Sequence, residues 1–163
     1  MKAIKRKLLA HFLNVGTAET PDYELIGKGV TSATIAYNPQ TSDETYINED
    51  TGTTDVESYK PNMPVPMTAY AGEPVFDFVD GLRKSRAVMD DARTELVNVY
   101  LYETATTGAY PAEKNVVSVQ IDDFGGDGGA RASINFTLNY CGDPVQGTFN
   151  PETKTFTETS AAE

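Results

Sequence analysis

The sequence of 163 residues contains one cysteine, one histidine and no tryptophan. Because an internal disulfide needs two cysteines, the lone Cys141 excludes a disulfide framework, and it also excludes a cysteine-rich zinc site. With His11 as the sole imidazole, a histidine metal site and a Ser-His-Asp hydrolase are both disfavoured. No apolar run approaches the roughly 20 residues of a transmembrane helix. These absences favour a binding or structural protein, for which we expect no catalytic residue, no cofactor and no metal.

The composition indicates a folded chain. Hydrophobic residues make up 39% and aromatic residues 10% of the sequence, which is too apolar for a disordered chain and enough to build one core. We therefore expect a single domain over residues 1–158. The Ala- and Glu-rich end, 159–163, is expected to be a mobile tail.

Charge is unevenly distributed along the chain, whose formal net charge is −11. Four basic residues precede the first acidic residue, Glu19: Lys2, Lys5, Arg6 and Lys7. The rest of the chain, from residue 15 on, holds 9 basic and 24 acidic residues, and such a body repels phosphates. His11 interrupts the apolar stretch that a signal peptide would need, so we interpret the basic start as a first strand or arm, in a protein of a reducing cytoplasm.

Strand patterns dominate the sequence. Alternating or β-branched runs predict strands at 31–37, 96–102, 116–121 and 134–139, and a closing hairpin at 147–157 that turns at Asn150-Pro151. The glycine-rich run from Asp122 to Gly129 is interpreted as the connection between two of them, because it lacks the ligand spacing of an EF-hand calcium loop. Asp50-Thr51-Gly52 matches the aspartic-protease signature, but its polar flanks favour a turn.

One helix is predicted over residues 73–86. Its apolar stripe follows helical spacing and is expected to pack on the core: Val75, Phe78, Val79 and Leu82. Pro74 fits the first turn, and Arg83 and Lys84 suit the negative end of the helix dipole. A single helix among many strands predicts a mainly-β (α+β) fold, a β-sandwich or barrel with one flanking α-helix.

Residues 38–67 are predicted to form a long extended loop, since they are polar and contain four prolines. The apolar residues Tyr46, Ile47, Val56 and Tyr59 are spaced along this loop. A solvated loop has little reason to carry such side chains. We therefore expect the segment to dock on a neighbouring subunit.

Several segments together carry a resemblance to a known family. They are Ala36-Tyr37-Asn38-Pro39, Thr45-Tyr46-Ile47-Asn48-Glu49, Tyr59-Lys60-Pro61, Gly72-Glu73-Pro74-Val75-Phe76, Val119-Gln120-Ile121-Asp122-Asp123-Phe124-Gly125-Gly126, and Gly142-Asp143-Pro144-Val145 through Gly147-Thr148-Phe149-Asn150-Pro151. In order and spacing the chain resembles the major tail tube proteins of long-tailed, non-contractile (siphovirus-type) bacteriophages and prophages. The resemblance implies the phage tail tube-like fold.

The resemblance also implies a structural virion protein rather than an enzyme. Such proteins self-assemble into hexameric rings that stack as the viral tail tube, around a tape-measure protein and next to tail-terminator and distal tail proteins. DNA passes the lumen during ejection without specific binding, and the chain binds no membrane. The implied location is the virion tail, after synthesis in the host bacterial cytoplasm. Six copies at −11 would carry about 66 negative charges per ring, which would keep DNA from adhering.

The expected contacts between subunits and between rings involve the basic start and the long loop: Lys5, Arg6, Lys7, Tyr46, Ile47, Asn48, Glu49, Val56 and Tyr59. We expect the basic residues to meet acidic surface on a neighbour, and deletion of Tyr46 to Val56 to stop stacking without unfolding the chain. Two alternatives stay open. One is the tube protein of a contractile tail or type VI-like secretion system, and the other is a monomeric β-sandwich module that binds carbohydrate or a cell surface.

Overall fold

The computed structural model describes residues 1–160 and consists mainly of antiparallel β-structure. The strands are β1 (Leu9–Asn14), β2 (Tyr23–Leu25), β3 (Pro39–Glu44), β4 (Thr53–Tyr59), β5 (Asn62–Thr68), β6 (Arg93–Tyr100), β7 (Tyr110–Gly125), β8 (Ser133–Asn150) and β9 (Thr155–Glu158). Within the described residues there is one α-helix, α1 (Pro74–Ser85), and there are 3-10 turns at Arg6–Leu8 and Met89–Ala92. The expected mainly-β fold with one helix is confirmed. Residues 161–163 of the expected tail lie outside the described residues.

Seven strands form one curved sheet in the order β2-β1-β6-β7-β8-β5, and β9 pairs with the far end of β8. The chain between β2 and β5 nearly closes this sheet into a barrel. Ile26 N–H donates to the carbonyl of His11 on β1, and bridges join Val30 to Met67 and Ala36 to Asn62 on β5.

The strand expected at 31–37 is absent, and this prediction was wrong: only Ala36 in that interval forms a bridge. The reason lies on the neighbouring edge of β5. Asn62 and Thr68 donate their N–H groups outward, to Ala36 and Gly29. Pro64 and Pro66 face the same side with no N–H to give, so a continuous ladder cannot form.

The predicted loop at 38–67 is divided into two structures, and its second part is a strand of the main sheet. Residues 39–59 form a β3–β4 hairpin, whereas β5 pairs with β8 from Asn62↔Asn139 to Thr68↔Ser133. Met63, Val65 and Met67 are buried along β5. Prolines occupy the alternate positions, which hid the strand pattern because proline normally argues against a strand.

The main core lies between one face of the sheet and α1. Val75 and Val79 are fully buried there, Phe78 and Leu82 pack against the same cluster, and Phe76 adds a buried ring that the stripe did not include. The helix begins where Glu73 Oε2 accepts a hydrogen bond from Phe76 N–H at 2.7 Å. It ends at Arg86 in the left-handed conformation. The helix predicted over 73–86 is therefore confirmed.

A smaller apolar cluster covers the opposite face at one end of the sheet. Phe12, Tyr23 and Phe149 pack together there: the ring centroids of Phe12 and Phe149 are 4.6 Å apart, and Tyr23 meets Phe149 edge to face. The predicted closing hairpin forms from the end of β8 and β9. Gly147 is required in it, because a Cβ atom would lie 2.3 Å from the carbonyl oxygen of Thr157.

Candidate functional site

The β3–β4 hairpin projects from the sheet as an arm, which we define as residues 39–59. It pairs only with itself, from Pro39↔Tyr59 to Glu44↔Thr53. Every residue of β4 is exposed, as is the whole tip between the strands. The Ile47 side chain at the tip is 108% exposed, and Val56 is 54% exposed. The arm therefore exposes apolar side chains that the described part of its own chain leaves in contact with solvent.

The arm is strongly acidic. It contains six acidic residues and no basic one: Asp43, Glu44, Glu49, Asp50, Asp55 and Glu57. Thr54 Oγ1 donates to Asp43 Oδ1 at 2.6 Å, and within residues 1–160 no ion pair involves the arm. The carboxylates therefore repel each other without an internal counter-charge.

A basic groove lies where the chain begins, between β1 and the segment that follows β2. It has a volume of about 530 Å³ and is lined mainly by apolar side chains, among them Leu9, Leu25, Val30 and Leu101. Arg6 and Lys7 also line it, and none of its lining residues is acidic. Lys5 and Lys7 are exposed beside it. We use the name basic groove for this cleft together with residues 1–7.

Arg6 is held in the fold, unlike its neighbours Lys5 and Lys7. Its guanidinium donates to the carbonyl oxygens of Leu9 at 2.5 Å and Ala33 at 2.9 Å. It also lies 3.0 Å from Nε2 of His11. Arg6 therefore ties the basic start to β1 and to the segment that closes the barrel.

His11 begins a buried polar network that crosses the sheet. Its Nδ1 lies 2.7 Å from Oδ1 of Asn98, whose Nδ2 donates to the Tyr140 hydroxyl at 2.9 Å. Because the amide oxygen only accepts and the Arg6 guanidinium only donates, His11 must carry its proton on Nδ1 and a lone pair on Nε2. The geometry therefore requires a neutral imidazole.

Burial lowers the pKa of His11 below its ordinary value, and the charge of Arg6 lowers it further, against the opposing effect of the Asn98 hydrogen bond. The unfolded chain therefore takes up a proton near pH 6.5 while the folded chain does not. The neutral His11 therefore makes its full contribution to the free energy of unfolding above that pH, and the contribution is lost as the pH falls below it.

We expect the melting temperature to fall more between pH 7.5 and pH 5.5 for the wild-type chain than for His11→Gln, which has no proton to bind. Thermal unfolding followed by circular dichroism at both pH values measures this difference. Carboxylates titrate alike in both chains and cancel in the comparison. An equal fall in the two chains would contradict the neutral assignment.

A second groove, of about 790 Å³, lies at the base of the arm and is lined by tyrosine and acidic side chains, including Tyr37, Tyr59, Glu113 and Tyr140. The rings of Tyr37 and Tyr59 meet edge to face with centroids 6.4 Å apart. Burial and the carboxylate of Glu113 raise the pKa of Tyr140 to about 12, although the Asn98 hydrogen bond opposes this. Tyr140 is therefore a neutral hydrogen-bonding group at the base of the arm, where Tyr37 and Tyr59 pack against each other.

The predicted contact residues lie on two surfaces, the arm and the basic groove. Tyr46, Ile47, Asn48 and Glu49 lie at the tip of the arm, Val56 and Tyr59 on β4, and Lys5, Arg6 and Lys7 at the basic groove. The Asp50-Thr51-Gly52 motif belongs to the exposed turn of the arm. The glycine-rich run was expected to be a connection as a whole, and this was wrong for Asp122 to Gly125, which belong to β7 and pair with β8. Gly126 to Gly129 lie in the connection between β7 and β8.

No nucleophile or metal centre arises from the remaining motifs. His11 bonds to Asn98 and Arg6, whereas the Cys141 thiol lies 3.6 Å from the carbonyl of Asn139, so the structure does not pair them. Within residues 1–160, no group of three or more His, Cys, Asp or Glu side chains could hold a metal ion. In the same range, every helix is too short or too polar to cross a bilayer.

Sequence reasoning missed the polar network and the apolar lining of the basic groove. The sequence did contain a signal for the network. His11 and Asn98 each interrupt an apolar strand run, and a polar side chain buried in such a run needs a hydrogen-bond partner. The apolar lining of the basic groove gave no such signal in the sequence. Residues 25–33 come close to β1 only because the chain after β2 closes the barrel, and this is a feature of the folded chain.

Comparison with known proteins gives similarity in fold alone. No protein-family model matches the sequence, and no curated protein is significantly similar to it. A chain in the C6-symmetric tail of an empty gene transfer agent particle aligns with a TM-score of 0.64 and 14% identity, over 87% of this chain and 97% of that one.

Two further solved structures are similar. A chain in the virion of the native gene transfer agent particle has a TM-score of 0.61 and 14% identity, over 95% of this chain and 99% of that one. A chain in the sixfold-symmetrised baseplate of the anti-feeding prophage has a TM-score of 0.50 and 14% identity, over 90% and 95%. The chain therefore has the fold of proteins found in phage-like tail particles.

Proposed function

We propose that the chain is a structural tail tube protein that self-associates, and not an enzyme. One observation carries the proposal: the arm exposes apolar side chains and six carboxylates, and none of these carboxylates forms an ion pair within residues 1–160. Burial of an exposed side chain such as Ile47 would contribute about 1.5–3 kcal/mol. A second copy is the partner that a tail fold favours, since the similar chains belong to sixfold-symmetric particles.

More specifically, we propose that six copies form a ring and that the rings stack into the tube of a long-tailed phage or prophage. The protein would then be located in the virion tail. Its other partners would be a tape-measure protein, tail-terminator and distal tail proteins. The net charge of −11 per copy supports a lumen through which DNA passes without adhering. A lumen lined by basic residues would contradict this part of the proposal.

Electron microscopy of the purified protein over a range of concentrations tests the proposal. We expect rings or tubes with sixfold symmetry above a threshold concentration. A chain that stays monomeric at high concentration, even with tail partners present, would overturn the proposal. Binding to a glycan array by that monomer would instead establish a carbohydrate-binding module.

Assembly is expected to weaken with salt, because the predicted contact residues Lys5, Arg6 and Lys7 are expected to meet acidic surface on a neighbouring copy. Raising the ionic strength from about 0.05 M to 0.5 M shortens the Debye length from roughly 14 Å to 4 Å, and exposed ion pairs weaken accordingly. Sedimentation at matched protein concentrations should show less polymer in high salt. Equal polymer at both ionic strengths would show that these charges do not contribute.

A further inference from the structure

We infer that the acidic arm of one copy docks on the basic groove of a second copy. The inference rests on the proposed self-association and names the two surfaces that meet. The contact joins two different patches of the same chain, so each copy gives one arm and receives another. Such a heterologous contact propagates into a closed ring or an open stack.

Charge complementarity carries the inference. The arm has six carboxylates and no cation, whereas residues 1–18 have four cations and no carboxylate. Two copies that each carry −11 repel each other unless they approach through surfaces of opposite sign. The arm and the basic groove provide such a pair of surfaces.

Apolar surfaces also match. Tyr46 and Ile47 at the arm tip are 55% and 108% exposed, and Leu25 and Ile4 at the basic groove are 48% and 60% exposed. An apolar centre surrounded by charged groups is the usual composition of a specific interface.

The arm of a given copy does not fill its own groove. The whole tip is exposed, and Lys5 and Lys7 form no ion pair within residues 1–160. Both surfaces are therefore available to another molecule.

The other large grooves fit the arm less well. The groove at the base of the arm contains Glu57, Glu113 and Asp143 and would repel an acidic tip. The groove at the end of α1 contains Asp123 and two arginines. Arg83 is already paired with Asp80 at 2.7 Å and packed over the Phe124 ring at 4.2 Å, and the Arg86 guanidinium donates to the carbonyl of Arg83. The basic groove has neither an acidic lining residue nor a neutralised arginine of this kind.

Charge reversal tests the pairing. We expect Lys5→Glu/Lys7→Glu to raise the threshold concentration for assembly at least tenfold, and Glu44→Lys/Glu49→Lys to do the same. The chain that carries all four substitutions should recover to near the wild-type threshold, because the signs are complementary again. Arg6 is left unchanged because it bonds to the fold.

The matched control is Lys84→Glu/Arg93→Glu, which makes the same change in net charge on surface residues in short-range ion pairs. It should leave the threshold nearly unchanged. Melting temperatures of all variants check that they fold. No recovery in the fourfold variant, or an equal loss in the control, would overturn the docking.

Crosslinking tests proximity directly. In a Cys141→Ser background, Ile47→Cys together with Thr31→Cys at the groove should give a ladder of covalent oligomers with a short bis-maleimide. Either cysteine alone should give dimers at most, because a ladder requires two different reactive patches. Tubes that form without the ladder would overturn this docking and leave the proposed function standing. The absence of any assembly would overturn both.

Discussion

Replacement of Asp43–Thr54 by Asn-Gly should abolish assembly and leave the protomer folded. The replacement removes the exposed tip and joins Ser42 to Asp55, which face each other across the hairpin. Asn-Gly forms the two-residue turn that such a pair of strands accepts. Because the removed residues pack on nothing in the described part of the chain, the melting temperature should change little.

The expected effect on assembly is complete loss, since the arm supplies one side of every contact that we propose. Electron microscopy and sedimentation at a concentration where the wild-type chain forms tubes measure it. Asp127→Ala, at an exposed position of the connection between β7 and β8 outside the arm and the basic groove, is the control and should assemble normally.

Mixing the shortened chain with the wild-type chain gives a sharper test of the arm than the shortened chain alone. A shortened copy keeps the basic groove but has no arm tip to give, so it can receive a neighbour and cannot continue the contact. Small fractions of the shortened chain should therefore reduce tube length well beyond simple dilution. Tubes of normal length in such mixtures, or normal assembly of the shortened chain alone, would show that the arm is not a contact surface.

The helix and the closing hairpin could be predicted because their signals are local. Pro74, the apolar stripe and the positively charged end lie within one short segment, and Asn150-Pro151 marks its own turn. The strand β5 could not be predicted in the same way. Pro64 and Pro66 are tolerated there because their outward side meets no ladder, which is a property of the neighbouring segment.

The candidate site was predictable in part. The apolar residues of the arm stood out within a polar segment, but the sequence did not reveal that they lie on a hairpin that pairs only with itself. The polar network joins His11 to Asn98, which are 87 positions apart. Such a pairing depends on the register of β1 with β6, which composition and periodicity do not determine.

Phe136→Ala should destabilise the protomer by about 3–5 kcal/mol, the usual cost of removing a fully buried phenyl ring. Phe136 lies at the centre of the main core, fully buried and facing Val65 on β5 and Ile121 on β7. Against a total stability of about 5–15 kcal/mol, this loss is severe. It corresponds to a fall in melting temperature of roughly 6–20 °C.

Urea unfolding of the unassembled protein measures the effect as a lower midpoint with an unchanged slope. Phe124→Ala is the control, because it removes the same ring from the same pair of strands at a site that is 46% exposed and lies under Arg83 at one face. We expect it to cost about 1 kcal/mol or less. A cost below 1 kcal/mol for Phe136→Ala would show that the core is not where the structure places it.

Both Phe136→Ala and the shortened arm should reduce assembly, but only Phe136→Ala should do so through loss of the fold. The two variants therefore separate the stability of the protomer from the contact between copies.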